Sequence, residues 1–251
     1  MRNPPVGLPD RRLPLHLFGA GWRLARADAA AAGAVLLSCL GLLTFLEVAD
    51  EIGEEEDRFD WAILRALRVG GDPADPVGPG WLNRAAVELT GFGDTWVLGA
   101  LVVLVVGFLL MRKKPGQALM LTLAVVGGTL LSESLKGFFG RDRPPEAWRL
   151  VEVHSQSFPS GHAMLSAVTY LTLGTLTARI LTRRRLKAYV LGAALVLAGV
   201  VGLTRVYLGA HWATDVLAGW SLGTAWAMAC WLAAFAVERR RAHVAPPEGG
   251  A

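Results

Sequence analysis

The sequence predicts an all-α, polytopic membrane protein built as a bundle of six spanning helices. Three observations carry that prediction. Apolar residues make up 53% of the 251-residue chain and charged residues only 18%, whereas a soluble domain averages about 25% charged residues. Six stretches contain no Asp, Glu, Lys or Arg over 16 to 22 residues, near the roughly 17–25 apolar residues a spanning helix needs. These stretches are continuous rather than alternating, so they read as helices and not as barrel strands.

The first stretch, 29–46, follows a leader that holds several prolines and Arg2, Arg11, Arg12, Arg23 and Arg26. Its apolar core is longer than the roughly 7–15 residues of a signal peptide, and Glu47 spoils the small-residue cleavage pattern near Ala49. It is expected to remain as an anchor. Residues 50–94 form the longest polar connection. Within it Phe59, Ile63, Leu64 and Leu67 recur at helical spacing, as do Leu82, Ala86 and Leu89, around a breaker cluster with Pro73, Pro76 and Pro79. Two short amphipathic helices are expected there, lying on the outer membrane surface, with Trp61, Trp81 and Trp96 at the interface. The remaining spans are 95–111, 115–132, 163–178, 188–204 and 216–237. Cys39 and Cys230 fall inside apolar stretches and read as small buried hydrophobes rather than a bridge or a metal site. The predicted organisation is a cytoplasmic segment 1–28, a six-helix membrane domain 29–238 that includes loop 50–94, and a cytoplasmic tail 239–251.

Charge then sets the orientation. Besides the leader arginines, Arg112, Lys113 and Lys114 lie between the second and third spans. Arg183, Arg184, Arg185 and Lys187 lie between the fourth and fifth, and Arg239, Arg240 and Arg241 follow the sixth. If six helices alternate, all four clusters fall on one side. Lys and Arg accumulate in short cytoplasmic loops, so both termini are placed in the cytoplasm. The acidic run Glu54, Glu55, Glu56 and Asp57 falls on the other side. The formal net charge of +4 is thus a topology signal rather than a nucleic-acid surface.

Polar residues the membrane should exclude collect at the outer ends of the spans: Glu133, Lys136, Arg143, Ser160, His162, Arg205, His211 and Asp215. A charge at mid-span costs about 2.5–3.5 kcal/mol on insertion scales, so such groups pair or face a polar cavity. The alternation brings three pieces of chain to one layer. Lys136 is placed near a helix end, and Pro144 keeps Arg143 in non-helical backbone. Two guanidinium groups and an ammonium suit a tetrahedral oxyanion. Ser160 is a good helix cap, Gly161 admits close approach to a backbone N–H, and free N–H groups at a helix start attract anions. His211 and Asp215, at i and i+4, are expected on one helix face, where the carboxylate fixes the imidazole tautomer. His16, His154 and His243 read as packed or solvated side chains. Glu133, one turn before Lys136, reads as its structural partner.

Lys136-Gly-Phe-Phe-Gly-Arg-Asp-Arg143-Pro144, then Pro159-Ser160-Gly161-His162, then Thr204-Arg205 leading to His211 and Asp215 resemble the three-part signature of the type 2 phosphatidic acid phosphatases. The signature spans about a third of the chain, and its one departure is Thr204 where the family usually has serine. The resemblance implies a core shared with the haloperoxidases and a metal-independent phosphomonoesterase or diphosphatase acting on a lipid phosphate, without a cofactor. It implies His211 as nucleophile, His162 as the acid that protonates the leaving oxygen, and Asp215 as the group that orients His211. Lys136, Arg143, Ser160, Gly161 and Arg205 would hold the phosphoryl oxygens. Phosphatidic acid, phosphatidylglycerol phosphate, polyprenyl diphosphate and phosphorylated glycolipids all carry suitable head groups. Two other classes compete. A transporter would place polar groups along the depth of a pathway near midplane, and a silent phospholipid-binding scaffold would need no paired histidines.

Overall fold

The computed structural model describes residues 15–52 and 58–244, with side chains described over 28–52 and 58–241. The acidic run Glu54–Asp57, Arg2, Arg11 and Arg12, and the side chains of His16, Arg23, Arg26 and His243 lie outside the described residues. Eight α-helices occupy the described chain: α1 (Leu15–Asp50), α2 (Arg58–Ala66), α3 (Gly80–Thr90), α4 (Thr95–Met111), α5 (Pro115–Phe139), α6 (Gly161–Ile180), α7 (Arg184–Tyr207) and α8 (Ala213–Val244). Four are long and apolar enough to cross a membrane: α1 over Asp28–Asp50, α5, α7, and α8 over Ala213–Arg241. A fifth span results if Gly80–Gly93 and Thr95–Met111, bent by 46°, count as one.

The predicted stretch 163–178 forms α6, which does not meet that apolarity test. Its sequence explains why. Ser166, Thr169, Thr172, Thr175 and Thr177 dilute the run, and several return their hydroxyls to carbonyls of the preceding turn. α6 is the central helix of the bundle, packed against α5, α7 and α8. Small residues let it come close to α8. A Cβ at Gly219 would sit 2.7 Å from the Ser160 carbonyl oxygen, and one at Gly223 would sit 2.6 Å from that of Met164. Helices in lipid gain no hydrophobic drive to associate, so this close backbone approach is what joins them. Tryptophans complete the seams. The indole of Trp220 donates to Ala198 O across α7, and that of Trp226 donates to Ala124 O across α5.

This packing gathers the end of α5, the start of α6, the end of α7 and the start of α8 at one end of the bundle. α5 stops at Gly140, which takes the left-handed conformation at φ +58°. α7 stops before Gly209, at φ +64°, where a Cβ would collide with the Trp148 carbonyl oxygen. The basic clusters at 112–114, 183–187 and 239–241 sit at the opposite end. There Arg239 pairs with Asp28 at 2.7 Å, tying α8 to α1.

The long loop holds two short helices, α2 and α3. α2 turns Leu64 and Ile63 inward, with Leu67 just past its end, but not Phe59. Phe59 is 62% exposed, whereas Asp60 and Leu64 are buried. The reason is electrostatic, because Asp60 has partners inside the protein. Trp61 packs edge-on against Trp148 and Trp212, with ring centroids 5.5 and 5.2 Å away. Trp81 and Trp96 are exposed. Cys39 and Cys230 are unbridged, but Cys39 is exposed on α1 and Cys230 only half-buried. A membrane helix has an apolar outer surface, so an apolar residue there need not face the protein core.

Candidate active site

Lys136 stands in the last turn of α5, and its ammonium donates to Glu133 Oε1 at 2.7 Å, which is the structural pairing expected of Glu133. A Cβ on Gly161 would lie 3.2 Å from Lys136 Nζ, so the ammonium rests against the turn that opens α6. Ser160 caps that helix. Its hydroxyl faces the Ala163 N–H at 3.5 Å, while its own N–H donates to the Asp215 carbonyl oxygen at 3.0 Å. His162 follows in the first turn of α6. The charged and titratable groups acting on it are Arg205, His211, Lys136 and Arg143. The turn at Gly91–Gly93, held by the Tyr170 hydroxyl donating to Phe92 O, covers its other side. Arg205, in the last turn of α7, is buried; its Nη1 donates to Thr90 Oγ1 at 3.2 Å, and its Nε has no partner among the described residues.

Arg143 lies in the loop between α5 and α6. It donates to the carbonyl oxygens of Ser155, Gln156 and Ala210 and to the Ser155 hydroxyl. Its Nη1 also lies 3.0 Å from His211 Nε2. A guanidinium has no acceptor, so Nε2 must present its lone pair and the imidazole proton sits on Nδ1. His211 Nδ1 faces Asp215 Oδ2 at 3.4 Å and Ser157 Oγ at 3.5 Å. Burial pushes the His211 imidazole down to about 3; the bond to Asp215 opposes this and Arg143 reinforces it. A neutral histidine with its lone pair on Nε2 is the form a nucleophile requires. Burial also lowers Arg143 to about 10, with Asp215 opposing, so it stays a cation at neutral pH.

The expected helical pairing of His211 and Asp215 needs correction. α8 begins at Ala213, so His211 lies in the turn before it. Asp215, in the first turn, folds back so that its Oδ2 accepts from the Trp212 N–H at 2.9 Å. That bond satisfies an N–H at the helix start and brings the carboxylate under the imidazole. Spacing alone gave the right neighbours through the wrong local geometry.

All eight residues singled out from the sequence thus stand at this end of the bundle. The structure adds others. Ser157 donates to Asp215 Oδ2, and Arg141 Nη1 donates to Asp215 Oδ1 at 2.7 Å. Arg141 Nη2 pairs with Asp60 Oδ2 at 2.9 Å. Arg68, buried, donates to the carbonyl oxygens of Pro73, Tyr207 and Trp148 and so fastens loop 50–94 to two of the site's turns. Of these only Arg141 carried a signal, a third cation between Lys136 and Pro144. Asp60 and Arg68 sit in a polar loop where nothing marks a buried charge.

Residues 117–239 match the PAP2 superfamily. The chain is 35% identical over 146 residues to phosphatidylglycerophosphatase B of Bacillus subtilis, covering 57% of this chain and 70% of that protein. It is 30% identical over 148 residues to the undecaprenyl-diphosphatase of Sulfolobus acidocaldarius, covering 57% of this chain and 66% of that one. Its fold is similar to the crystal structure of a transmembrane PAP2-type phosphatidylglycerolphosphate phosphatase from Bacillus subtilis. There the TM-score is 0.69 and the identity 32%, over 84% of this chain and 97% of the other.

Proposed function

The chain belongs to the PAP2 superfamily of membrane phosphatases, and from that premise we propose that it removes the terminal phosphate of a lipid through a phosphohistidine on His211, without a metal ion. The observation that carries the reading is the His211 ring itself, with Nδ1 toward buried Asp215 and the Nε2 lone pair facing Arg143. In the reaction Nε2 attacks phosphorus as the bond from phosphorus to the lipid oxygen breaks, and His162 gives that oxygen a proton. Water then attacks the phosphohistidine, returns a proton to His162 and releases inorganic phosphate. Asp215 stabilises the imidazolium character that His211 gains. Arg143, Lys136, Arg205 and the backbone around Ser160 and Gly161 neutralise the phosphoryl oxygens, and such charge stabilisation is the main demand of phosphoryl transfer.

The relatives' names bring phosphatidylglycerol phosphate and polyprenyl diphosphate to the front of the substrate list, with phosphatidic acid beside them. Counting buried α6 and the α3–α4 pair as spans gives six, with both termini in the cytoplasm. The site then opens to the extracytoplasmic side, because the basic clusters lie at the other end of the helices. A lipid head group can enter such a site while its chains stay in hydrocarbon.

Two measurements test the reading. Purified protein in detergent, with EDTA present, should release phosphate from at least one of these lipids. A base-stable, acid-labile phosphoenzyme should be trapped with the wild type and be absent from His211→Ala. A strict magnesium requirement, or a phosphoenzyme that survives in His211→Ala, would overturn it. For orientation, a cysteine at position 154 should react with an impermeant thiol reagent in intact cells and one at 184 only after permeabilisation, with Cys39 and Cys230 replaced. The reverse pattern inverts the topology.

A further inference from the structure

One buried charge has no part in that mechanism. Asp60 belongs to α2, far from the signature in sequence, yet it is 1% exposed. Its Oδ1 accepts from the Thr214 N–H at 2.9 Å, and its Oδ2 accepts from the Thr214 hydroxyl and from Arg141 Nη2 at 2.9 Å. Thr214 is the second residue of α8, so Asp60 caps that helix from another element, satisfying an N–H left free at its start. Arg141 joins Asp60 to the catalytic carboxylate: its Nη1 donates to Asp215 Oδ1 at 2.7 Å and to Thr214 Oγ1 at 2.8 Å. The Arg141 backbone contributes as well. Its carbonyl oxygen accepts from the Ser157 N–H at 2.9 Å, and Ser157 is the residue whose hydroxyl donates to Asp215 Oδ2.

We propose that Asp60 is a positioning residue for the Asp215–His211 pair, acting through Arg141 and Thr214, and that α2 is therefore part of the active site rather than a cover over it. The proposal rests on the assignment of His211 and Asp215 as the catalytic pair. Its physical content is a sharing of charge. The Arg141 guanidinium lies between two carboxylates, and each takes part of its field. Removing the Asp60 charge throws more of Arg141 onto Asp215, which pulls that carboxylate toward Oδ1 bonding and weakens its support of the His211 imidazolium. The same change loosens the start of α8, on which Asp215 sits. Substrate contacts are untouched, because none of Asp60, Arg141 or Thr214 belongs to the phosphate cage.

The test is a double-mutant cycle on the full-length protein in detergent, using whichever lipid phosphate it hydrolyses. Asp60→Asn should lower kcat by about 10- to 100-fold, the range usual for a group that orients a catalytic ligand, with KM within about threefold of wild type. In an Asp215→Asn background the same change should cost less than about threefold, because coupled groups are not additive. Thr214→Ala, a milder break in the same chain, should lower kcat by roughly three- to tenfold and lose its effect in that background too. It keeps the cycle measurable should Asp60→Asn fail to fold. Phe59→Ala, on the exposed face of α2, should behave as wild type. Equal factors in the two backgrounds, a rise in KM with kcat unchanged, or wild-type kcat in both variants would overturn the proposal. His211→Ala, assayed alongside, separates the outcomes. If it retains turnover the catalytic assignment itself has failed; if it is inactive while Asp60→Asn is fully active, only this inference has.

Discussion

The two halves of the site are built differently. Around Asp215 the hydrogen bonds are dense: Ser157, the Trp212 N–H and Arg141 all donate to its carboxylate, which faces His211, and Asp60 braces the arrangement from behind. Around His162 and Arg205 they are sparse. Among the described residues no hydrogen bond engages the His162 ring, Arg205 Nε has no partner, and Lys136 reaches only an exposed glutamate. A buried donor without an acceptor costs about 1–3 kcal/mol, so the sparse half is held at a cost to stability. The contrast follows from what each half is asked to do. A nucleophile must be aimed before substrate arrives, and fixed internal bonds do that. Arg205 keeps a donor unspent until then, whereas Arg143 is already held by loop carbonyls; a donor kept free gains most when charge develops on the phosphoryl oxygens.

The largest effect should fall on the dense half. His211→Ala is expected to lower turnover by about 10⁴-fold or more, as loss of a nucleophile does. His162→Ala is expected to cost about 10²- to 10⁴-fold, the usual contribution of a general acid. The two should differ in kind as well. Slowed turnover in His162→Ala should depend steeply on the leaving group, with activated phosphate esters restored toward wild type, while His211→Ala stays inactive on every ester. Equal losses on good and poor leaving groups would erase the distinction between the halves.

The sparse half makes a smaller prediction. Arg205→Lys keeps the charge but removes the planar fork. It is expected to lower kcat/KM by roughly 10- to 100-fold, somewhat less than the loss of a whole charge-stabilising donor. It should also weaken the thermal stabilisation of the purified protein by orthovanadate, a mimic of the five-coordinate phosphoryl group, since a ligand stabilises in proportion to its affinity for the folded state. Unchanged vanadate stabilisation would remove Arg205 from the cage.

How much of this was readable from residues alone tracks the same division. The gathering of these polar residues at one end of the bundle was legible because they sit in short, spaced motifs: Lys136 to Arg143, Ser160 to His162, Arg205 to Asp215. The helices were legible because an uninterrupted apolar stretch has little alternative in lipid. What failed to show was whatever depends on distant partners. Asp60 meets Arg141 across 81 positions and Thr214 across 154, and no periodicity encodes such a meeting. Asp60 carried no sign of burial because apolarity is the default guide to it, and here a paired carboxylate is buried instead. α6 was readable as a helix only by its lack of charges, and its threonines reflect a place among other helices.

The smallest effect concerns acid. The buried His211 imidazole is pushed down to about 3, whereas a histidine in an unfolded chain titrates near 6.5. Between those values the unfolded state binds a proton that the folded state refuses, so folded stability rises with pH across that interval. The contribution is fully present above about pH 6.5 and is lost as the medium is acidified below it, by at most about 1.4 kcal/mol per pH unit. His211→Asn carries no titrating group at this position and lacks that dependence. Apparent melting temperatures in detergent, taken from about pH 7.5 down to about pH 5, should therefore fall more steeply for the wild type than for His211→Asn. The difference between the two curves should shift toward acid against the wild type, whatever their offset at neutral pH. Parallel curves would mean that His211 accepts a proton in the folded protein as readily as in the unfolded chain. The neutral state of the imidazole at working pH would then owe nothing to burial.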